Sequence, residues 1–376
     1  MESETGKNLS IVLEPWYTSL NDPENAQMNV LKCLLENYSK TEYGVMHNAQ
    51  PNLTLEEYRQ NFKVSTYDSL KPILEKVSFE NFNIFLSEPP VGWVMTRGTT
   101  GKPKTFPVTK THLSQILLCG ARSVANYALK RRKFEIFNGK ALNLNFPSQI
   151  NVVKKGNSLV SYGYSSGTYA KFNRSFSGLE LIPSQEEIDA LETGLSKEGW
   201  RKRFQLAYER AKDENVSICI GVAPVILEFA KFVKQSYGLL PKDFWKVYAI
   251  FCTSVPKIHW NYAPILRRYY GNIDVVEIYS ATEGVFAQQL DNMPYICPNY
   301  DMYLFEVVTR KGVKMLYELK EGEWGKLVVS TSILPRYYIG DLIECFGKQY
   351  FRIFGRDKVS TVVEHYLHHI LSGRFI

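Results

Sequence analysis

Residues 96–104 read Thr-Arg-Gly-Thr-Thr-Gly-Lys-Pro-Lys, and this stretch indicates the fold of the whole chain. Its glycines, threonines and lysines can turn backbone N–H groups, hydroxyls and cations toward a phosphate chain. The strict P-loop has four residues between its glycines and ends in Gly-Lys-Ser/Thr. Here two residues separate Gly98 from Gly101, and Pro103 follows Lys102. The stretch therefore predicts a phosphate-binding loop of another kind.

The composition describes a globular chain with a modest basic excess. Of its 376 residues, 45% are hydrophobic and 14% aromatic, enough to bury a large core in one big domain or two. The net charge of +7 comes from 45 basic and 38 acidic residues, an excess too small over this length to indicate nucleic acid. The densest basic cluster, residues 130–133, lies where a helix is predicted to end, and cations there complement the helix dipole.

The cysteines and the apolar runs indicate the compartment. The cysteines lie far apart without a C-x-x-C pair, a spacing that indicates neither a zinc knuckle nor a small disulfide framework. They are Cys33, Cys119, Cys219, Cys252, Cys297 and Cys345. The acidic residues 1–4 precede no long apolar run, and no stretch reaches the about 18 consecutive apolar residues of a membrane-spanning helix. We expect a cytoplasmic protein with reduced thiols and no membrane partner.

The periodicity of the first 130 residues predicts helices that lead into a sheet. Residues 91–95 predict a strand that enters the 96–104 loop, and helical periodicity resumes over 109–130. The loop is therefore expected to join a strand to a helix. Before it, the predicted helices are a first one from Asp22-Pro23 to Gly44, a short one capped by Thr54 and a third over residues 67–77.

From residue 141 onward strands and helices alternate, which predicts an α/β sheet with covered faces. The predicted strands are 141–146, 216–221, 247–252 and 274–279, and the predicted helices are one capped by Ser184, one over 200–212 and one over 224–237. Beyond Asn299 helices nearly vanish, and short strands are predicted at 302–308, 326–331 and 350–354. The chain is therefore expected to close with a β-rich subdomain.

Four further stretches carry side chains suited to a nucleotide. Ser254-Val255-Pro256 and Tyr279-Ser280-Ala281-Thr282-Glu283-Gly284 each follow a predicted strand, where open α/β sheets place their ligands. The carboxylate of the second stretch suits Mg²⁺ on phosphates. Asp341, at the end of residues 336–341, can accept from both ribose hydroxyls, and Arg356 suits ribose or phosphate. Taken alone, each stretch also fits a turn, a strand-end cap or a surface ion pair.

In this order and spacing, the stretches resemble the adenylate-forming superfamily of acyl-CoA synthetases, firefly luciferase and peptide synthetase adenylation domains. That superfamily has a Ser/Thr-Gly-Thr-Thr-Gly-x-Pro-Lys loop, then Gly-Ala-Pro-like, Tyr-Gly-x-Thr-Glu and Tyr-x-Thr-Gly-Asp blocks, and a Gly-Arg hinge. Within it, the chain is most similar to the acyl acid amido synthetases, the auxin-conjugating family of plants and its microbial relatives. Residues 62–68, Leu70-Lys71-Pro72, the loop at 96 and residues 336–341 carry that similarity. The resemblance spans roughly residues 25–358.

The resemblance implies a role for each matching residue. It places Thr282 at the α-phosphate, Glu283 on Mg²⁺, Asp341 on the ribose and Arg356 on the ribose or a phosphate. It also implies a wider nucleotide-binding set around the phosphates and the adenine. This set is Thr96, Arg97, Gly98, Thr99, Thr100, Gly101, Lys102, Lys104, Ser254, Val255, Pro256, Tyr279 and Ser280.

The same resemblance implies the reaction and the fold. ATP and Mg²⁺ would be the cofactors, and a small carboxylic acid would attack the α-phosphorus to give an acyl-adenylate and pyrophosphate. Transfer to an amino acid or CoA would follow. An ionised carboxylate needs no general base, so catalysis would come from positioning and charge neutralisation. The fold would be α/β, a large N-terminal domain of sheets flanked by helices over residues 1–354, β-rich from about 300 to 354.

The chain departs from the family pattern at two places. Arg97 stands where a small residue is usual, and it either adds a phosphate contact or crowds the loop. The family also continues past the hinge into a mobile lid with a catalytic lysine, whereas residues 355–376 are expected to hold only the hinge and a remnant. A fragment, a separate chain that supplies the lid, and a lid-less module that binds ATP or the acyl-adenylate without catalysis are the alternatives.

Two other motifs suggest different chemistry. Residues 163–167 match the G-x-S-x-G elbow of serine hydrolases, with Ser165 as the nucleophile. That elbow needs a helix after it, and none is predicted beyond Gly167, so a glycine-serine loop is the preferred interpretation. Near the C-terminus, His365, His368 and His369 with Glu364 fall on one helical face, but they do not match H-E-x-x-H. A frayed amphipathic tail is expected there.

Overall fold

The computed structural model describes residues 2–98, 103–172, 179–253, 255–347 and 349–371. Within these residues no helix combines the length and the apolar character needed to cross a membrane. The α-helices are α1 Glu2–Asn21, α2 Pro23–Tyr38, α3 Glu42–Met46, α4 Leu55–Asn61, α5 Tyr67–Leu74, α6 Lys110–Arg131, α7 Ser165–Phe172, α8 Gln185–Asp189, α9 Lys197–Ala211, α10 Ala223–Tyr237, α11 Ile258–Asn261, α12 Ala263–Tyr270 and α13 Val359–Leu371. The β-strands are β1 Pro90–Met95, β2 Thr105–Thr109, β3 Lys140–Asn143, β4 Asn151–Lys155, β5 Ser158–Tyr164, β6 Leu181–Ile182, β7 Val216–Val222, β8 Ala249–Thr253, β9 Asp274–Ala281, β10 Gly284–Gln288, β11 Cys297–Pro298, β12 Leu304–Thr309, β13 Gly312–Met315, β14 Trp324–Thr331, β15 Leu334–Cys345 and β16 Phe351–Arg356.

The chain forms two compact units, each assembled from separate segments of the sequence. The first unit comprises Met1–Leu13, Val91–Val108 and Leu113–Pro294. The second unit comprises Glu14–Pro90, Thr109–His112 and Tyr295–Ile376. The division into a large domain over 1–354 and a remnant over 355–376 stays a prediction.

The first unit contains two sheets. One has the strand order β2-β1-β5-β4, in which β1 and β5 are parallel and β4 and β5 antiparallel. In the other, β9, β8, β7, β3 and β6 are neighbours in that order and all parallel, and β10 pairs antiparallel with β9. The carboxyl ends of β3, β7, β8 and β9 consequently lie at one edge, where α/β sheets place their ligands.

The central strands of the first unit have nearly continuous apolar sequences. β7 and β8 read Val-Ser-Ile-Cys-Ile-Gly-Val and Ala-Ile-Phe-Cys-Thr, the near-continuous hydrophobic runs of parallel strands that are covered on both faces. α10 contributes an apolar stripe to the same core, and Gly238, with φ of +72°, ends it in the left-handed conformation that favours glycine. The prediction of a covered α/β sheet is confirmed here.

The second unit packs helices on an antiparallel sheet. Its strand order is β13-β12-β14-β15-β16. The buried face of α2 and Tyr58 of α4 pack in one cluster with Leu304 and Met315. The Gln27 amide ties α2 to the sheet, because its Nε2 donates to the carbonyls of Tyr300 and Tyr303, both at 2.7 Å, and its Oε1 accepts from the Phe305 N–H at 2.8 Å. The β-rich subdomain predicted beyond residue 299 is confirmed.

Local capping signals predicted helix starts well. The Asp22 side chain accepts from the Asn25 N–H, and Thr54 and Ser184 form capping boxes at the starts of α4 and α8. The Asp22-Pro23 helix is not the first, however, since α1 precedes it. The absence of a helix after Gly167 was also wrongly predicted, because α7 begins at Ser165.

Candidate active site

The predicted phosphate loop lies between two strands of one sheet. β1 leads into it and β2 follows, so the expectation that it joins a strand directly to a helix was wrong. Its base is closed by two hydrogen bonds, from the Thr96 N–H to the Lys104 carbonyl and from the Lys104 N–H to Thr96 Oγ1, both at 2.9 Å. Gly98 has φ of +68°, a conformation that costs glycine little. Thr99, Thr100, Gly101 and Lys102 lie outside the described residues.

Arg97, the unusual residue of the loop, contacts an aromatic ring. Its guanidinium carbon lies 5.5 Å from the centre of the Phe146 ring, within cation–π distance. Burial lowers the pKa of Arg97 from its ordinary value. An arginine still keeps its charge at neutral pH. The chain segment after β3 is thus brought beside the described start of the loop.

Thr282 and Glu283 form the turn of a hairpin at the carboxyl end of β9. Ala281 pairs with Gly284 across the hairpin, which leaves these two residues as its central pair. Both are buried, with Thr282 8% and Glu283 5% exposed. Tyr279 and Ser280 belong to β9 itself, and the Tyr279 ring packs 5.6 Å from that of Phe286. A hydroxyl and a carboxylate are therefore held at a strand end, as the sequence predicted.

Helix α7 contacts this turn through two side chains on one face. Ser165 Oγ lies 3.1 Å from Thr282 Oγ1, and the Tyr169 hydroxyl donates to the Thr282 carbonyl at 2.8 Å. Burial, and then the charge of Glu283, raise the pKa of Tyr169 far above its ordinary value. The phenol therefore stays protonated and remains a donor. Tyr169 was not predicted as a site residue, because the helix that carries it was not predicted.

The G-x-S-x-G motif has a packing explanation in this structure. A Cβ on Gly163 would lie 2.4 Å from the Ser148 carbonyl carbon, and one on Gly167 would lie 1.9 Å from the Phe146 carbonyl oxygen. Both glycines thus permit close backbone approach. Within the described part of the chain, Ser165 Oγ hydrogen-bonds to Thr282 and to no imidazole. The strand–helix context of an elbow is present, but the base that a hydrolase requires does not contact this serine.

The turn after β8 lies beside the carboxyl-terminal half of β9. Cys252 of β8 pairs with Glu277 of β9, so the register carries the turn toward Tyr279 at the same sheet edge. Val255 packs against the main core of the unit, and Pro256 follows it. Ser254 is outside the described residues. The turn after β8, whose residues belong to the predicted nucleotide-binding set, and the Thr282–Glu283 turn thus leave adjacent parallel strands at the same end.

A largely buried carboxyl that the sequence analysis missed lies on the same strand, that of Glu277, whose side chain is 13% exposed. Burial raises the pKa of Glu277 to about 7. Its Oε2 is 3.6 Å from Nε2 of His259, whose pKa is lowered by burial and by Arg267. Acidic residues in strands leave no periodic signal that distinguishes them from exposed ones. Only the covering of this face by α11 makes Glu277 unusual.

An aromatic cluster lies where the strand order reverses. β3 and β7 are neighbours in the sheet. From β3 the chain continues to β6 on one side, and from β7 it continues to β8 on the opposite side. Such a reversal is where α/β folds form ligand crevices. The side chains packed there are Met95, Phe146, Ile150, Tyr162, Tyr164, Trp200, Val222 and Val225. The Arg203 guanidinium lies 4.0 Å from the centre of the Trp200 ring and burial lowers its pKa to about 10.

Asp341 and Arg356 are brought together in the second unit. Arg356 Nη1 donates to Asp341 Oδ1 at 2.8 Å, and the two residues pair across β15 and β16. Gly340, with φ of +91°, lets the guanidinium lie over its Cα, where a Cβ would be 3.4 Å from Nη2. Asp357 has other partners, the Tyr338 hydroxyl at 2.6 Å and Lys326 Nζ at 2.7 Å. Asp341 thus lies in a long strand, not in a turn.

The C-terminal histidines do not form a metal site among the described residues. No group of three or more His, Cys, Asp or Glu side chains there is arranged to hold a metal ion. His365 is 4% exposed and stacks on Phe354 at 3.9 Å, with Trp324 5.4 Å away. The expectation of a frayed tail was wrong over α13, which packs on the sheet. The side chains of His368 and His369 are not described.

Comparison with known proteins agrees with this architecture. Residues 13–193 match the family model described as the GH3 family N-terminal domain. The acyl acid amido synthetase AtGH3.15 in complex with 2,4-DB superposes with a TM-score of 0.75 at 19% identity, over 94% of this chain and 71% of that one. An open conformation of 2-hydroxyisobutyryl-CoA ligase in complex with 2-HIB-AMP and CoA gives 0.61 at 15% identity, over 88% and 74%.

A curated relative matches over a shorter stretch. The jasmonoyl–L-amino acid synthetase JAR6 of Nicotiana attenuata is 25% identical over 140 residues, 37% of this chain. The matched stretch spans about a quarter, 24%, of that relative's length. The chain therefore has the fold of adenylate-forming enzymes. Residues 13–193 match the GH3 family N-terminal domain, and the predicted fold and resemblance are confirmed.

Proposed function

We propose that this chain activates a small carboxylic acid with ATP to give an acyl-adenylate and pyrophosphate. The observation that carries the proposal is the GH3 family match, since residues 13–193 include the whole phosphate loop. The solved structures that share the fold include an acyl acid amido synthetase and a CoA ligase. An oxygen of the acid carboxylate would bond to the α-phosphorus as the bond to the pyrophosphate oxygen breaks, and pyrophosphate would leave with that electron pair.

The residues of the first unit suit the triphosphate and its cation. Thr96, Arg97, Gly98, Thr99, Thr100, Gly101, Lys102 and Lys104 would hold the β- and γ-phosphates, and Ser254, Val255, Pro256, Tyr279 and Ser280 would line the nucleoside. Thr282 would donate to the α-phosphate. Glu283 would hold Mg²⁺, because a carboxylate beside phosphate oxygens is the donor set that this cation prefers. Bound Mg·ATP supplies the electrophilic phosphorus and the leaving group.

The second unit has a carboxylate and a guanidinium suited to the ribose. Asp341 already accepts from Arg356 through Oδ1. In the proposed complex, the Asp341 carboxylate accepts from the ribose hydroxyls, and Arg356 reaches the ribose or a phosphate. This assignment predicts that Asp341 recognises the hydroxyls themselves.

The acid would bind at the aromatic cluster where the strand order of the first unit reverses. Phe146, Tyr164 and Trp200 provide apolar faces, and Arg97 lies above Phe146. An aromatic or branched apolar acid fits such a lining. An amino acid is proposed over CoA as the final acceptor, because the relatives include an acyl acid amido synthetase and a jasmonoyl–L-amino acid synthetase. A module that binds ATP without turnover is the alternative.

ATP–pyrophosphate exchange with a panel of aromatic and aliphatic carboxylic acids tests this function. We expect acid-dependent exchange that Glu283→Ala abolishes. Calorimetric titration with ATP and with 2′,3′-dideoxy-ATP tests the ribose assignment. Asp341→Ala should lower the affinity for ATP by about tenfold and leave the affinity for 2′,3′-dideoxy-ATP unchanged. Asp357→Asn is the matched control and should leave both affinities unchanged. Tight ATP binding without exchange for any acid would favour the binding module.

A further inference from the structure

We infer that Tyr169 and Ser165 of α7 are positioning residues that hold the Thr282–Glu283 turn in its nucleotide-binding form. The inference rests on the proposed function of that turn. Both residues lie in the first unit and are four positions apart, so they share one face of α7. Tyr169 contacts the backbone carbonyl of Thr282, and Ser165 contacts the Thr282 side chain.

The Tyr169 hydroxyl holds the central peptide group of the turn. Ala281 and Gly284 are the outer residues of the turn, so the peptide between Thr282 and Glu283 is its central peptide. The common turn types differ mainly by the orientation of this group. Because the phenol donates to the Thr282 carbonyl at 2.8 Å, that orientation is held, and with it the direction of the Glu283 side chain.

Ser165 sets the direction of the Thr282 hydroxyl proton. The two oxygens are 3.1 Å apart, and either can donate. If Thr282 donates to a phosphate oxygen, its own oxygen is free to accept, and Ser165 then becomes the donor. The result is a chain from the Ser165 O–H to Thr282 Oγ1 and onward to the nucleotide. This gives the serine of the G-x-S-x-G motif a role without a covalent intermediate.

Close packing and a hydrogen bond hold α7, which carries these two residues, in place. Gly167 lies between them in α7 and meets the Phe146 carbonyl so closely that no larger residue fits. The Thr168 hydroxyl donates to the Tyr164 carbonyl at 3.1 Å, which ties the start of α7 to the end of β5. Helix α7 therefore holds its two hydroxyls at a set distance from the hairpin.

The effect of Mg²⁺ on ATP affinity separates positioning from general stability. ATP is titrated by calorimetry with saturating Mg²⁺ and again in EDTA. Tyr169→Phe should lower the affinity for ATP in Mg²⁺ by about tenfold and in EDTA by less than about twofold. Tyr270→Phe is the control, because the Tyr270 hydroxyl also donates to a carbonyl in the same unit, that of Ile226 at 3.0 Å. It should change neither affinity.

Ser165 gives a second, independent variant. Ser165→Ala should lower the affinity for ATP about threefold to fivefold with and without Mg²⁺, since Ser165 supports the contact of Thr282 with the α-phosphate. Ser165→Thr should restore the affinity. Wild-type Mg²⁺ dependence in Tyr169→Phe, together with wild-type affinity in Ser165→Ala, would overturn this inference alone. If the wild type itself shows no Mg²⁺ dependence, or Glu283→Ala retains it, the proposed role of the turn fails first.

Discussion

At the scale of single residues, two acidic side chains near the end of β9 show how environment separates similar groups. Glu283 lies in the hairpin turn and Glu277 lies within the strand. The carboxyl of Glu277 is covered, and burial alone raises its pKa to about 7. Sequence reasoning identified Glu283 by its position after a strand, but it had no means of finding Glu277. A buried acid is visible only when the elements that cover it are in place.

Replacement of Glu277 should stabilise the protein in a pH-dependent way. Its pKa is raised from 4.5 to about 7, so between those values the folded state retains a proton that the unfolded chain has lost. Wild-type stability should therefore fall as the pH rises through this window. Glu277→Gln should raise the free energy of unfolding by about 2–3 kcal/mol at pH 8 and by almost nothing near pH 4.5.

Urea unfolding at the two pH values measures this difference. Glu228→Gln is the control, since Glu228 is exposed and pairs with Lys231 three residues away. It should shift the free energy of unfolding by less than about 0.5 kcal/mol at either pH. An equal gain for Glu277→Gln at both values would contradict the raised pKa.

At the scale of elements, helix α7 changes the meaning of the G-x-S-x-G motif. Its glycines serve close packing, and its serine contacts a hairpin turn. The sequence predicted no helix here, because the segment is short and offers little hydrophobic periodicity. The phosphate loop gave a similar error, since β2, Thr105–Thr109, is a five-residue strand that was not predicted between the loop and the helix expected from residue 109. Short elements depend on their neighbours more than on their own residues.

Two glycine substitutions in helices should have opposite effects on stability. A Cβ at Gly167 would lie 1.9 Å from the Phe146 carbonyl oxygen, so Gly167→Ala should destabilise the protein by about 3 kcal/mol or more. A Cβ at Gly120 of α6 meets nothing within 4 Å. Gly120→Ala should therefore stabilise by about 0.5–1 kcal/mol, since alanine favours helix more than glycine does. Thermal unfolding checks both, and a tolerated Gly167→Ala would refute the close approach.

At the scale of the whole molecule, each unit joins distant parts of the sequence. In the second unit, Glu306 accepts from Arg59 Nε and from Arg336 Nε, both at 2.8 Å, across separations of 247 and 30 residues. Arg336 Nη1 also donates to the carbonyls of Arg59 and Phe62. Arg336 opens the stretch that the resemblance identified as part of a ribose site. Its side chain instead connects the helical segment around residues 59–62 to the sheet of the second unit.

Loss of Glu306 should destabilise the second unit strongly. Glu306 is 1% exposed, and Glu306→Gln would remove the buried negative charge that faces Arg336 and Arg59, at a cost of about 3–5 kcal/mol. Glu56→Gln is the matched control, because Glu56 also contacts Arg59, at 3.7 Å, but is 72% exposed. It should cost less than about 0.5 kcal/mol. Equal shifts in the urea midpoints of the two variants would contradict the buried network.

The sequence by itself determined the fold class, the helix caps and the order of the site blocks. Those features depend on local chemistry: a threonine or serine caps the helix it precedes, and a glycine-threonine loop keeps its character wherever it lies. Only the tertiary structure decided that α7 supports the Thr282–Glu283 turn, that Glu277 is buried and that Asp341 pairs with Arg356. Each of these depends on contacts between residues distant in sequence, and no local pattern encodes which segments will meet.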